Sequence, residues 1–151
     1  MGPEFAVGKS CIGYCPGQKN LRDLDRPDLR DVPLAERLAM PALLGRARSR
    51  EDAALLMAAA LGLTEQTPFR FVDTPAGQVV LRRELVPHLV EKEADARERY
   101  ARLVIPTLER PWETWLTEYT DGTFRPQLIG LSEGKMSLLV IIREARDGAL
   151  V

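Results

Sequence analysis

His88 is the single histidine of the chain and stands in Val86-Pro87-His88-Leu89-Val90-Glu91-Lys92. Histidine is the side chain whose ordinary titration near neutrality lets it both take and give a proton. Lys92 follows one helical turn later, so the two side chains can converge on one site. At ~100° per residue, Asp95 and Arg99 fall on the same face. The same stripe also describes a solvated polar helix face. Arg97 has two placements. On a continuous helix it lies opposite His88, inside a stripe of Val86, Leu89, Val90, Ala94, Tyr100, Ala101 and Val104. There an arginine must pair, snorkel or face a cleft, because an unpaired buried charge is very costly. If the helix breaks near residues 92–94, Arg97 rotates toward His88.

Other chemistry-bearing residues are weaker signals. Gly8-Lys9-Ser10 has the ending of a phosphate-binding loop, but Pro3 stands where the first glycine belongs and no strand precedes it. Cys11 and Cys15 form a single close pair with no second pair and no nearby histidine. Zinc needs four ligands, so two incidental thiols or one local disulfide is the simpler account. Trp112 and Trp115 are spaced to put their rings on opposite faces of a strand, one for the core and one free to stack on a base or a partner. Arg82, Arg83, Lys92, Arg97, Arg99 and Arg102 are the densest basic set, interleaved with Glu91, Glu93, Asp95 and Glu98. Such interleaving suits a salt-bridged helix as well as a local basic patch.

The elements that must position these groups can be read in order. Met1-Gly2-Pro3-Glu4-Phe5 reads as a cloning remnant and is set aside. Residues 16–33 alternate Asp, Arg, Leu and Pro without a period, the composition of an extended linker. Residues 1–33 are thus an arm and 34–67 a helical lead-in. Within the lead-in, a short helix over 34–40 stops at Pro41, and a clearer one opens at Ser49 and ends at Gly62. Phe69-Arg70-Phe71-Val72 and Gln78-Val79-Val80-Leu81 flank Asp73-Thr74-Pro75-Ala76-Gly77, which predicts a β-hairpin. A long helix is expected over about 84–108. Strands follow over 112–119 and 124–131, then 135–143, whose Leu138-Leu139-Val140-Ile141-Ile142 reads as a buried central strand. Asp147-Gly148 turns the chain into Ala149-Leu150-Val151, the start of a further strand. The meander calls for one more strand than the chain supplies, which reads as truncation.

The order hairpin, His88-x-x-x-Lys92, Arg97-x-x-Tyr100, Ile105-Pro106-Thr107-Leu108-x-x-Pro111, then a Trp/Tyr-bearing antiparallel meander resembles one known group. It is the phage-associated branch of the Barnase–EndoU–Colicin–RelE nuclease superfamily, found at the C-terminus of phage head-morphogenesis proteins and in polymorphic toxins. The resemblance covers residues 68–151. It implies an α+β fold, helices packed on a small antiparallel sheet that carries the catalytic groups. It implies a ribonuclease that uses no metal or other cofactor. The ribose 2′-OH attacks the adjacent phosphate, leaving a 2′,3′-cyclic phosphate and a free 5′-OH. In that chemistry His88 is the natural acid/base, Lys92 and Arg97 the phosphate clamps, and Tyr100 a hydrogen-bond donor. The implied partners are RNA (tRNA among the candidates), a cognate immunity protein, and segments of a phage head or delivery protein. The implied places of action are the cytoplasm of a target bacterium after delivery, or the virion. In the family a last strand brings a further polar group to the site, and this chain stops before it.

Composition sets bounds on these readings. A chain of 151 residues with 45% hydrophobic and 28% charged side chains can bury a core, which excludes fibrous and wholly disordered classes. Its longest apolar run, Ala53-Ala54-Leu55-Leu56-Met57-Ala58-Ala59-Ala60-Leu61, is about half of a membrane span, and no signal peptide is visible. The formal net charge of -1 provides no general attraction to nucleic acid. A non-enzymatic reading therefore stands beside the nuclease: a binding or structural module of a phage head or toxin-delivery protein that kept the fold and lost catalysis. An exposed apolar edge beside Ile141 would mark it. The Arg…Ser-Thr-Ser…Glu-x-Glu order of ADP-ribosylating toxins is absent.

Overall fold

The computed structural model describes residues 5–9, 28–134 and 136–151. Cys11, Cys15, Ser10, the linker up to Pro27, and Lys135 lie outside the described residues.

The first α-helix, α1 (Arg50–Ala60), begins where Ser49 takes an extended backbone and its hydroxyl oxygen accepts the Asp52 N–H at 3.1 Å. That bond satisfies one of the free donors at the helix start. Gly62 ends the run with φ +72°, the left-handed conformation that glycine adopts without steric cost. Ala53, Met57 and Ala58 turn inward and pack against Val86, Val90 and Ala101. The lead-in before α1 also packs on the domain. Glu98, buried, accepts the Ala47 N–H at 3.0 Å, and Leu44 N donates to Arg99 O at 3.0 Å. The expected helix over 34–40 is instead one 3₁₀ turn, Leu34–Glu36. Beyond it the chain is drawn out, and Leu38 bridges Ser132.

The predicted hairpin forms from β2 (Phe69–Thr74) and β3 (Gly77–Arg82), paired antiparallel. Its turn is tied by the Thr74 hydroxyl, which donates to Gly77 O at 2.7 Å.

The long helix expected over 84–108 does not exist as one element. A 3₁₀ turn at Arg83–Leu85 leads into α2 (Val86–Leu89), and 3₁₀ segments follow at Glu93–Asp95 and Arg97–Leu103. Only Val104–Glu109 is α-helical again, as α3. The backbone leaves the helix after Leu89 and is extended at Lys92, and two further local features keep the segment from being one α-helix. Ala96 sits at φ +44°, left-handed, which stops any right-handed helix there. Pro106 lacks an N–H and its ring clashes with the carbonyl four residues back, so an α-helix cannot run through it from Arg102. Pro106 falls inside the first turn of α3, where no such bond is needed.

The second sheet orders β1 (Phe5–Lys9), β4 (Glu113–Glu118), β5 (Phe124–Leu131) and β6 (Ser137–Ile141) side by side. The last three form the predicted antiparallel meander, and β1 runs parallel to β4. Phe5, which the sequence reading set aside with the cloning remnant, is thus the first residue of an edge strand. β6 is the edge at the other end of the sheet, not the buried centre that its apolar run suggested. Its side chains alternate, leaving Leu139 51% and Ile141 46% exposed, while Ile142 just beyond is buried. The apolar run misled because only one face of this strand meets the core.

That core joins the two sheets. Val72 and Val79 of the hairpin, Leu108 of α3, Leu128 of β5 and Ile142 form one buried cluster. At its side, Gly130 faces Thr107 so closely that a Cβ built on the glycine would stand 2.9 Å from Thr107 Cβ and Cγ2. Leu150 bridges back to Val79 of β3 and to Glu144. Leu150 O accepts from Val80 N at 2.9 Å, and Arg143 and Val151 exchange two backbone bonds of 3.0 and 2.8 Å. The architecture is α+β, short helices against antiparallel sheet.

Candidate active site

The interruption of the helix decides where each candidate residue stands. Val86, which opens α2, and Val90, just past its end, point into the core between α1 and Ala101. The intervening His88 and Leu89 are therefore left exposed. His88 lines a cleft of about 400 Å³ between α2, β3 and the C-terminal segment. Apolar side chains, among them Leu61, Leu63, Val80 and Leu81, make up much of its wall. The polar members are His88, Arg82, Glu91 and Arg143.

Of the four residues singled out from the sequence, only His88 lines this cleft. Lys92 is exposed on an extended backbone (φ -91°, ψ 94°), so the helical spacing from His88 no longer applies. Arg97 lies beyond the break and folds back. Its Nε and Nη2 donate to Asp95 Oδ2 at 3.2 and 3.0 Å, and its Nη1 to Leu89 O at 3.4 Å. The rotation toward His88 that a broken helix allows is thus realised as far as the neighbouring carbonyl. Tyr100 is half-buried, with the Arg99 guanidinium 6.0 Å from its ring centre.

The sequence reading missed the two arginines of the cleft as partners of His88. Arg82 closes β3 and was counted only as part of a basic patch. Arg143 comes from beyond β6. Their encounter depends on Leu150 crossing to β3, a pairing between chain segments too distant to show in local periodicity. Arg143 is exposed, and its guanidinium has no hydrogen bond or ion pair among the described residues.

A second polar row lies on β4 and β5. Gln127 pairs with Ile141 and Trp115 with Gln127. Ile142 N donates to Pro126 O, one residue beyond the paired register of β5 and β6. The Arg125 guanidinium stacks 4.1 Å from the Tyr119 ring centre, and Gln127 Nε2 donates to Tyr119 Oη at 2.9 Å. Trp115 Nε1 donates to Glu113 Oε2 at 2.9 Å. Trp115 is on β4, whereas Trp112 precedes the strand and donates its backbone N–H to Ile129 O at 2.7 Å. At the β4–β5 turn, the Thr123 hydroxyl and amide, with Arg125, hold the Asp121 carboxyl below the ordinary carboxylate range.

A family model described as phage-Barnase-EndoU-ColicinE5/D-RelE like nuclease2 matches residues 56–151. The chain belongs to this phage-type nuclease family. The match begins inside α1, earlier than the resemblance read from the sequence, in keeping with the core that α1 shares with α2. No curated protein and no solved structure matches the chain. None of the helices among the described residues is long and apolar enough to cross a membrane.

Proposed function

We propose that the chain is a metal-independent endoribonuclease toxin domain that cleaves RNA by transphosphorylation at the His88 cleft. The observation that supports this most is the placement of the one histidine beside two arginines and a carboxylate in a single cleft. In-line attack of the 2′-oxygen forms a P–O2′ bond and breaks the P–O5′ bond. The 2′-proton goes to a base and the leaving 5′-oxygen gains one from an acid. Glu91 and His88 are the two proton-carrying groups of the cleft, and we assign His88 the protonation of the leaving oxygen. Arg143 and Arg82 offset the charge that builds on the phosphoryl oxygens. Lys92 and Arg97, outside the cleft, are outer contacts for the flanking backbone. RNA is the substrate of this reading, an immunity protein its inhibitor, and delivery by a phage particle or a contact-dependent system its route.

The test is incubation of total RNA with the protein in EDTA and end-group analysis of the fragments. Ends bearing 2′,3′-cyclic phosphate support the reading; intact RNA from the folded protein overturns it. Arg143→Ala is expected to raise KM for a short oligoribonucleotide by roughly tenfold to a hundredfold, the loss of a hydrogen bond to a charged group. An unchanged KM removes Arg143 from the site.

A second reading, a binding module without catalysis, is favoured by one set of side chains. Phe69 and Phe71 on β2 and Leu139 and Ile141 on β6 are large, apolar and exposed, as on surfaces that meet other proteins. A phage-head or delivery-protein segment is its partner.

A further inference from the structure

Arg82 is the more sheltered of the two cleft arginines, its side chain 17% exposed. Its Nη2 donates to Asp147 Oδ2 at 2.6 Å, and its Nη1 lies 4.0 Å from Glu84 Oε1. Arg82 lines the cleft and neither carboxylate does; both carboxylates are mostly exposed to solvent. Asp147 is itself fixed. Its other oxygen, Oδ1, accepts the Ala149 N–H at 3.1 Å across the turn of the C-terminal hairpin. The Arg82 guanidinium, then the Ala149 amide, hold the Asp147 carboxyl below the ordinary carboxylate range. The strands of the same hairpin pair Arg143 with Val151, both cleft residues.

We propose that Asp147 is a positioning residue: it holds the Arg82 guanidinium beside Arg143, so that the two arginines make one phosphate-binding wall in the His88 cleft. The phosphodiester as occupant rests on the nuclease reading above. A free arginine loses rotamer entropy when it grips an anion, whereas one already set by a carboxylate loses little. Long-range electrostatics works in the opposite direction, because removing a carboxylate near an anion site strengthens anion binding. The sign of the effect therefore separates positioning from simple repulsion.

The probe is a short 2′-O-methyl oligoribonucleotide, which has no free 2′-OH to attack and stays intact. Its binding to the full chain is followed by fluorescence anisotropy. Asp147→Asn is expected to weaken binding about five- to tenfold, although its side-chain oxygen can still accept from Ala149. Asp147→Glu should recover part of the loss. Arg82→Ala should weaken binding to a similar extent, and Asp147→Asn should then add nothing. Tighter or unchanged binding by Asp147→Asn overturns the proposal. So does an Asp147→Asn effect that persists in the Arg82→Ala background, the mark of a merely structural role. Fragment analysis of the unsubstituted protein runs in parallel: a protein that cuts no RNA but shows the coupled binding loss retains the anion wall and loses the nuclease reading.

Discussion

His88→Ala is expected to abolish RNA cleavage in EDTA, with a loss of about 10²–10⁴ in kcat, the usual worth of a positioned general acid or base. The expectation follows from placement. Val86 and Val90 anchor α2 in the core, so the exposed imidazole between them can be removed without opening a cavity. Binding of the non-cleavable oligonucleotide should be nearly unchanged, because the arginines remain. The loss should thus fall on kcat and not on KM, as for a group that acts in the transition state. A His88→Ala protein that still produces cyclic-phosphate ends at the parent rate would remove His88 from the chemistry and move attention to the Tyr119–Arg125 row.

Gly130→Ala is the substitution expected to cost the most stability. The added methyl would overlap the Thr107 side chain, with Thr107 Cβ and Cγ2 at 2.9 Å and Oγ1 closer still. Thr107 is fully buried on α3, and α3 cannot retreat without disturbing Leu108 in the shared core. Overpacking of this kind costs about 1–3 kcal/mol, which lowers the melting temperature by several degrees in a chain of this size. Thr107→Ala should be mild by itself, since its buried hydroxyl has no hydrogen-bond partner. In the double variant it should restore part of the Gly130→Ala loss, because two of the three clashing atoms are gone. Thermal denaturation of the four proteins checks both points. A Gly130→Ala protein that melts with the parent would show that the α3–β5 contact is looser than its geometry.

Elements governed by local chemistry were legible in the sequence. Ser49 and Gly62 bracket α1, the Asp73-to-Gly77 turn gives its hairpin, and β5 runs Phe124–Leu131 as read. Elements set by an unusual backbone conformation or by contacts distant in sequence were not. The apolar period of residues 84–108 suits a helix, yet Ala96 takes a left-handed backbone that no alanine announces. β6 is apolar enough for a central strand, but its neighbours decide which face is covered. The site divides in the same way. His88 stands out by being alone of its kind, whereas Arg82 and Arg143 are two arginines among many until the C-terminal segment crosses to β3. Lys92 illustrates the converse, since its spacing from His88 has meaning only on a helix that stops before reaching it.

The Leu150 crossing has a consequence for hydrogen exchange. The Val80 amide donates to Leu150 O, and the Arg143 and Val151 amides each donate to the other residue's carbonyl oxygen. These three protons are expected to exchange through one opening, in which the C-terminal segment leaves β3 and its own pairing frays. An anion that grips Arg143 binds only the closed form and suppresses that opening by mass action. Slowed exchange at Val80, Arg143 and Val151 together, with the amides of α1 unaffected, would then report occupancy of the cleft from the backbone alone, before any bond in a substrate is cut.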